Sequence, residues 1–466
     1  MALREILYNL PEVKKPVEKR LSFNVKLKWT IIILLSFFVL SNIGLYGVSR
    51  GFLERFEFLE VILGTQFGSI ISLGIGPIVM SSIILQLLVG SGILNIDTKT
   101  EEGKKFFQGL QKLGVLFFIV FEAMIYVLMR GIEAQPGFTG IVIFQLVLGG
   151  LAIMFMDEVS QKWGFTSGVS LFIVAGVAWH LFLSLFQFVD PSGQICLFDF
   201  TGTSCSGRVF VIIQSILNNA PKEFMSALAA IMFTILIFLG IVWAQNLKVQ
   251  IPLTYERLRG YGIKWPLQFF YASNIPVILV AALVANIQLF GGLLENWLGH
   301  STFLGSFSQG VPVSGLAFWL GNTNIVDAII KTGFQSIFQS RILIQAVTHI
   351  LFYMTFAAIF AVFWVKTSGM DESSQAKNIL ASGLQIPGFR KDPRVLESIL
   401  KRYILPLTIM GGLAIGLLAS VADVLGALTS GTAILLAVTI MYQLYTNIAQ
   451  QHAVDMHPAM KKMIAG

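Results

Sequence analysis

Ten stretches of this chain are each long and apolar enough to form a membrane-crossing helix, which needs about 20 residues. They fall near residues 29–48, 74–92, 113–130, 138–156, 167–189, 222–247, 270–290, 341–365, 403–422 and 427–449, numbered here as spans 1–10. Little is left over for a soluble domain. The chain is 55% hydrophobic and only 12% charged, about half the charge of an average soluble domain. Lipid offers no partner to a free backbone N–H or C=O, so such spans must be helices. The expected fold is an all-α polytopic membrane protein. Span 1 is too long for a secretory-signal core, and no small-residue cleavage site follows it, so it is expected to stay in the mature protein.

One span is interrupted. Residues 72–89 read SLGIGPIVMSSIILQLLV, with Gly74, Gly76 and Pro77 at the start. Proline removes a backbone donor and the glycines loosen the chain. A helix arriving from Phe56–Ser69 is therefore expected to stop near Gly74, and a new one to start at Pro77. Broken backbone at membrane depth survives only where protein buries it or where it lines a cavity. The break thus predicts a pathway or a gate. The preceding stretch, 52–71, carries Glu54, Arg55, Glu57 and Glu60 before turning apolar and cannot span. It fits a re-entrant half-helix of about residues 55–70; an amphipathic helix on the outer face is the alternative.

Charge sets the orientation. With the N-terminus inside, 25 of the 32 Lys and Arg residues fall in the inside segments, leaving 7 elsewhere. By the positive-inside rule both termini are cytoplasmic. Residues 1–28 are basic, with Leu3, Ile6, Leu7 and Leu10 on one side and Pro11 and Pro16 ending the pattern. A short helix on the cytoplasmic surface is expected there, with a solvated basic tail as the alternative. The two large inside loops, 248–269 and 366–402, carry Arg257, Arg259, Arg390 and Lys391. Inside placement alone accounts for basic loops, but Arg-Leu-Arg-Gly and Gly-Phe-Arg-Lys look like protruding tips suited to phosphate backbones or an acidic protein. Cys196 and Cys205, the only two cysteines, share the outside loop 190–221. Short spacing and an oxidising side favour a structural disulfide over two unrelated thiols.

Much chemistry is missing. There is no phosphate-binding Gly-rich loop and no His/Cys/Glu set with metal-ligand spacing, so no cofactor is expected. Ionisable residues inside the spans reduce to Glu122, His180 and His349, each expected to be structural. A proton- or ion-coupled transporter keeps such groups along its path, so their scarcity favours a passive pore over a secondary transporter of a small solute. Ten spans divide into five and five, and an odd number per half permits inversion. The sequence shows no self-similarity strong enough to establish a repeat.

Several motifs in order resemble the SecY family: LGIGPIV…LQLLVGSGI, FQGLQKL, SGVSLFIVAGV, YASNIPVILVAALVANIQLF, FWVKTSGMD, IPGFRKD, LKRYILPLT and MHPAMKKM. The likeness runs from about Pro11 to Met463 and resembles the archaeal and eukaryotic branch more than the bacterial one. It implies the pore-forming alpha subunit of a protein-conducting channel in the cell membrane. Such a channel moves unfolded secretory chains across and releases membrane helices sideways into lipid.

The resemblance also implies a division. A cytoplasmic segment (1–28) precedes an N-terminal half (29–217, spans 1–5, plug about 55–70). A C-terminal half (218–449, spans 6–10) and a tail (450–466) follow, the halves being inverted copies. Pore-ring positions carry over to Ile75, Val79, Val169, Ile173, Ile278 and Leu436; Val169 stands where isoleucine is commoner. The break Gly74, Gly76 and Pro77 becomes the plug hinge. Gln86 and Asn274 match a polar cluster at a lateral gate between spans 2 and 7, although Met80 departs from the small residue expected beside them. Arg257, Arg259, Arg390 and Lys391 match docking loops for the ribosome or another cytoplasmic driving partner. Further implied partners are a SecE-like gamma subunit, a small beta subunit, signal peptides, nascent chains and membrane lipid.

Overall fold

The structure, a computed structural model, describes residues 10–18, 21–48, 68–90, 93–94, 96, 100–129, 131–188, 205–255, 262–272, 275–308, 311–333, 340–381, 384–385 and 392–456. All ten expected spans appear as helices: Phe23–Ser41, Gly76–Gly90, Glu101–Leu128, Thr139–Trp163, Gly168–Phe186, Pro221–Gln245, Ile275–Leu298, Ser340–Thr367, Pro393–Val424 and Gly431–Met456. Among the described residues nine are long and apolar enough to cross a membrane. Span 2 is the exception. Its 15 residues cover only about 22 Å, and the turns of residues 68–75 precede it.

The ten helices pack as one scheme used twice. Span 4 touches 1, 3 and 5, span 1 touches 5, and span 2 touches 3. Span 9 likewise touches 6, 8 and 10, span 6 touches 10, and span 7 touches 8. The halves meet where span 2 packs on spans 7 and 8, and where span 10 packs on spans 1 and 5.

A sequence signature surfaces once the equivalent helices are known. Gly-Gly-Leu-Ala-Ile occurs at 149–153 in span 4 and again at 411–415 in span 9. The first glycine does the same job in each. A Cβ on Gly149 would overlap the Ile70 carbonyl, and one on Gly411 would lie 2.6 Å from the Phe269 carbonyl. Ile70 and Phe269 stand at matching places, just ahead of spans 2 and 7. The glycines let the backbone entering each of those helices press flat against the bundle. The second glycines bring helices together: a Cβ on Gly150 would come 2.8 Å from Ile119 of span 3, and one on Gly412 2.8 Å from Ala358 of span 8.

Contacts between connections follow the expected alternation. At one end the Leu45 N–H donates to Gly68 O (2.8 Å), the Gln135 N–H to Gly47 O (2.8 Å), and Arg341 to Val313 O (2.7 Å). At the other, Lys162 Nζ bridges Glu12 (2.9 Å) and Glu158 (3.0 Å), and Lys112 holds the same Glu158 at 3.0 Å. Trp163 Nε1 donates to Lys14 O at 3.1 Å. Residues 10–18 are thus an extended strap over the end of span 4; the expected helix lies outside the described residues for 1–9 and is absent from 10–18.

The 248–269 loop is not irregular. Strands β1 (Lys248–Tyr255) and β2 (Gly262–Gln268) form an antiparallel hairpin. Its alternation buries Ile251 and Leu267 against Ala376, Ile379 and Leu396. A hairpin of β3 (Ser306–Ser308) and β4 (Val311–Ser314) lies in the 7–8 connection. Strand β5 (Leu384–Gln385) adds to the far end of β1, with Tyr255 opposite Leu384 and Thr254 opposite Gln385. The Tyr271 hydroxyl, donating to Met370 O at 2.7 Å, ties the same two connections together. Short helices Arg208–Leu217, Gly315–Leu320, Ile325–Thr332 and Glu372–Ala381 complete the fold.

Two outcomes are expected. Gly149→Ala and Gly411→Ala should each cost about 1–3 kcal/mol through overpacking. Gly240→Ala, whose Cβ would meet nothing within 4 Å, should leave stability unchanged; thermal unfolding of the purified chain checks both. The strap carries the second. The hydrogen bond from Lys162 holds the Glu12 carboxyl below its usual 4.5, against an opposing effect of burial and with help from the Lys162 charge. A depressed carboxylate stabilises the folded form fully above its unfolded pKa and loses that contribution as pH falls through the folded one. Protection of the residue 12–15 amides, taken relative to their intrinsic exchange rates at each pH, should therefore hold steady above pH of about 4.5 and fall below it, and Glu12→Gln should abolish this dependence.

Candidate functional site

The break before span 2 is a run of tight turns. Gly68 has φ +85° and Gly74 φ +54°, values that favour glycine. Ser69 pairs with Gly44, Ser72 Oγ donates to Ser69 O (2.5 Å), and the Gly74 and Gly76 N–H groups donate to Ile71 O (2.8 Å) and Leu73 O (3.2 Å). The Gly74 and Gly76 donors are thereby satisfied without a helix. The first helical bond runs from the Val79 N–H to Ile75 O at 3.0 Å. Pro77 is the second helical residue, where a missing N–H costs nothing. The expected stop at Gly74 and restart at Pro77 thus appears as a restart one residue earlier. A helix reaching Ser69 does not appear, since residues 68–75 are turns; residues 52–67 of the expected half-helix lie outside the described residues.

Ile75 and Val79, one turn apart, face a narrow cavity between the halves. Ile173 of span 5, Ile278, Ala281 and Ala282 of span 7, and Ser430, Thr432, Ala433 and Leu436 at the start of span 10 line it too. Its volume is about 20 Å³, room for about one water. Five of the six ring positions therefore share one space. Val169 lies instead on a larger cavity of about 420 Å³, which shares Val79 and Ile278 with the narrow one. The larger space is a funnel of mixed lining, with Lys104, Gln108, Gln111, Gln161, Ser170, Thr367 and Ser368 beside Ile78, Phe107, Ile275, Leu279 and Trp364. An apolar neck of this width excludes ions because a hydrated ion must shed water there for no replacement partner.

Gln86 lines the funnel at 3% exposure, and its Oε1 has no hydrogen-bond partner among the described residues. Asn274 lies outside the described residues. Polar ties of span 2 run to span 3 instead: Ser81 Oγ donates to Gln111 O (2.8 Å) and Gln111 Nε2 to Ser82 Oγ (2.6 Å). Toward span 7 it shares an apolar cluster, Ile75, Val79 and Ile83 with Val277, Val280 and Val284. Glu122 is buried at 2% exposure, and its Oε1 has no hydrogen-bond partner among the described residues. His180 is half-buried. His349 is buried between Leu320 O (Nδ1, 2.8 Å) and Asp423 (Nε2, 3.3 Å). Cys205 is buried and disulfide-bonded; Cys196 lies outside the described residues.

Arg257, Arg259, Arg390 and Lys391 also lie outside the described residues. The first pair follows the end of β1 and the second pair follows β5, which is hydrogen-bonded to that same end. Sequence reasoning passed over Asp157 and Asp423, which stood just beyond the apolar windows of spans 4 and 9. The helices run on to Trp163 and Val424, and both carboxylates are buried. Each follows a Gly-Gly-Leu-Ala-Ile run, Asp157 eight residues after Gly149 and Asp423 twelve after Gly411, a spacing too unequal to signal the pair from sequence alone.

Fold and site together define a multi-pass helical membrane protein built around a narrow, aliphatic-lined path between two matching halves, the architecture of a channel. Residues 69–445 match the family model described as SecY. The chain is 41% identical over 460 residues to the protein translocase subunit SecY of Methanothermobacter thermautotrophicus, covering 98% of this chain and 96% of that one. A solved structure of a protein conducting channel superposes with a TM-score of 0.81 at 35% identity, over 97% of this chain and 98% of that one. Sec61 in the canine ribosome-channel complex from the endoplasmic reticulum gives 0.77 at 35% identity, over 97% and 98%. This chain belongs to the SecY family.

If the neck is the seal, widening it should open an ion path. Ile173→Gly combined with Leu436→Gly should raise ion leak from proteoliposomes on the order of tenfold, while Leu236→Gly on the exposed face of span 6 should not.

Proposed function

We propose that this chain is the pore-forming subunit of a protein translocase, a passive channel that carries unfolded polypeptides through the neck between its halves. The observation that carries this is the meeting of aliphatic side chains from spans 2, 5, 7 and 10 on one cavity, next to a wider, partly polar funnel that shares Val79 and Ile278 with it. Branched aliphatics seal when the path is empty and yield around any passing side chain without holding it. A transporter of a small solute would need polar ligands at that point, and the neck offers only the Ser430 and Thr432 hydroxyls.

The finer assignments are parts of the same proposal. Ile75, Val79, Ile173, Ile278 and Leu436 form the ring, with Val169 on its funnel side. Residues 55–70 plug the path, with Gly74, Gly76 and Pro77 as their hinge to span 2. The halves are 29–217 and 218–449. They part laterally between spans 2 and 7, where Gln86 and Asn274 stand in an otherwise apolar seam. Both termini and the β1–β2–β5 sheet face the cytoplasm, as the distribution of Lys and Arg supports. Arg257, Arg259, Arg390 and Lys391, which follow the paired ends of β1 and β5 in sequence, are the docking residues for the ribosome, a partner of the similar Sec61 chain. A SecE-like gamma subunit and a small beta subunit complete the assembly in the cell membrane, and Cys196 pairs with Cys205 in the outer loop.

Photo-crosslinkers at Ile75, Ile173 and Ile278 in native membranes should each attach to a stalled secretory chain, and one at Leu236 should not. Equal yields at all four positions, or attachment of small solutes only, would refute the channel reading.

A further inference from the structure

The helices carrying Ile173 and Leu436 begin alike. Thr166-Ser167-Gly168 leads into span 5 and Thr429-Ser430-Gly431 into span 10, and each ring side chain stands five residues past its glycine. Each serine caps its own helix: Ser167 Oγ accepts the Ser170 N–H, and Ser430 Oγ the Ala433 N–H, both at 3.3 Å. Each helix start also receives a second acceptor from the preceding span. Asp157 Oδ1 accepts the Val169 N–H at 3.0 Å, and Asp423 Oδ1 accepts the Gly431 N–H at 2.6 Å. The two aspartates are 7% and 4% exposed.

Their remaining oxygens are held as well. Gln161 Nε2 donates to Asp157 Oδ2 at 2.8 Å, and His349 Nε2 faces Asp423 Oδ2 at 3.3 Å. The glycines make the approach possible. A Cβ on Gly168 would lie 2.5 Å from Asp157 Cα, and one on Gly431 would overlap Ala422 Cβ.

We propose that Asp157 and Asp423 are positioning residues of the pore, each fixing the height and rotation of the next helix so that Ile173 and Leu436 meet at the neck. The inference rests on the reading of those two side chains as pore ring. A helix N-terminus leaves its first N–H groups without intrahelical partners. Asp157, Ser167, Val169 and Ser170 border the larger cavity, so water there is the alternative acceptor at span 5, and it does not fix the helix start as a carboxylate on span 4 does. Without the carboxylate the helix start is free to move toward the funnel or another acceptor. Such a shift carries the ring side chain with it, since one residue of slip turns a side chain by about 100°.

The test uses the full chain in proteoliposomes with one added cysteine, Ile173→Cys or Leu436→Cys, and a membrane-impermeant methanethiosulfonate as the probe. Asp157→Ala should change labelling at 173 about fivefold or more, the scale of one lost cap, and leave 436 within about twofold. Asp423→Ala should do the reverse. Asparagine keeps a side-chain carbonyl, so Asp157→Asn and Asp423→Asn should label like the parent. If an alanine variant does not accumulate, Gly168→Ala should displace 173 alone. Unchanged labelling, an equal change at both positions, or asparagine variants that behave like alanine would overturn the proposal. The pore reading is scored separately, by crosslinking of the parent positions to a stalled chain: its loss sinks that reading, whereas retained crosslinks with unresponsive labelling sink only the clamp.

Discussion

Helices that begin inside a membrane protein must find partners for their first N–H groups, and the path through this chain depends on how that is done. Span 2 solves the problem with the turns of residues 68–75, in which the Ser72, Gly74 and Gly76 N–H groups donate to carbonyls three residues back and the Ile70 N–H donates across to Ile43 O. Spans 5 and 10 solve it with a serine of their own and an aspartate from the helix before. Because these starts are satisfied locally, the helices can place Ile75, Ile173 and Leu436 within a turn or two of their beginnings, around one cavity. The apolar neck is thus a product of polar capping next to it.

The same devices appear in both halves, which explains how the molecule can be firm and separable at once. Several directional bonds between helices lie inside a half: Ser81 and Gln111 with their neighbours, Asp157 with Val169, Asp423 with Gly431 and His349, Tyr442 with Asn246 at 3.0 Å. Between the halves, where spans 2 and 7 meet, the shared surface is aliphatic. In lipid an apolar seam gains little from being closed, because hydrocarbon tails are as apolar as the side chains they replace. A seam of this kind can open toward the bilayer at modest cost while each half keeps its own polar bonds.

Most of the architecture was legible in the sequence because its signals are long and redundant. Ten apolar runs fix ten helices, and Gly74-Ile75-Gly76-Pro77 fixes where span 2 begins. The ring became legible only through family resemblance, since Ile278 or Leu436 taken alone looks like ordinary packing. Other features were hidden for physical reasons. The β1–β2 hairpin alternates apolar residues at 249, 251 and 253 and at 263, 265 and 267, but Pro252 and Pro266 argue against strands and basic residues invite a loop reading. Asp157 and Asp423 sit just past the apolar windows, where an acidic residue reads as solvent-facing. The repeat of the two halves is confined to short motifs at unequal spacing, Asp157 to Gly168 against Asp423 to Gly431, so it emerges only when the packing shows which helices correspond.

On the proposed reading a polypeptide crosses between the halves through the aliphatic neck. A density map of the complete translocase, arrested with a secretory chain inside, tests it most directly. Substrate density running between spans 2, 5, 7 and 10, in contact with Ile75, Val79, Ile173, Ile278 and Leu436, is the result expected. Density confined to the outer surface of the bundle, with the neck still closed, would contradict it.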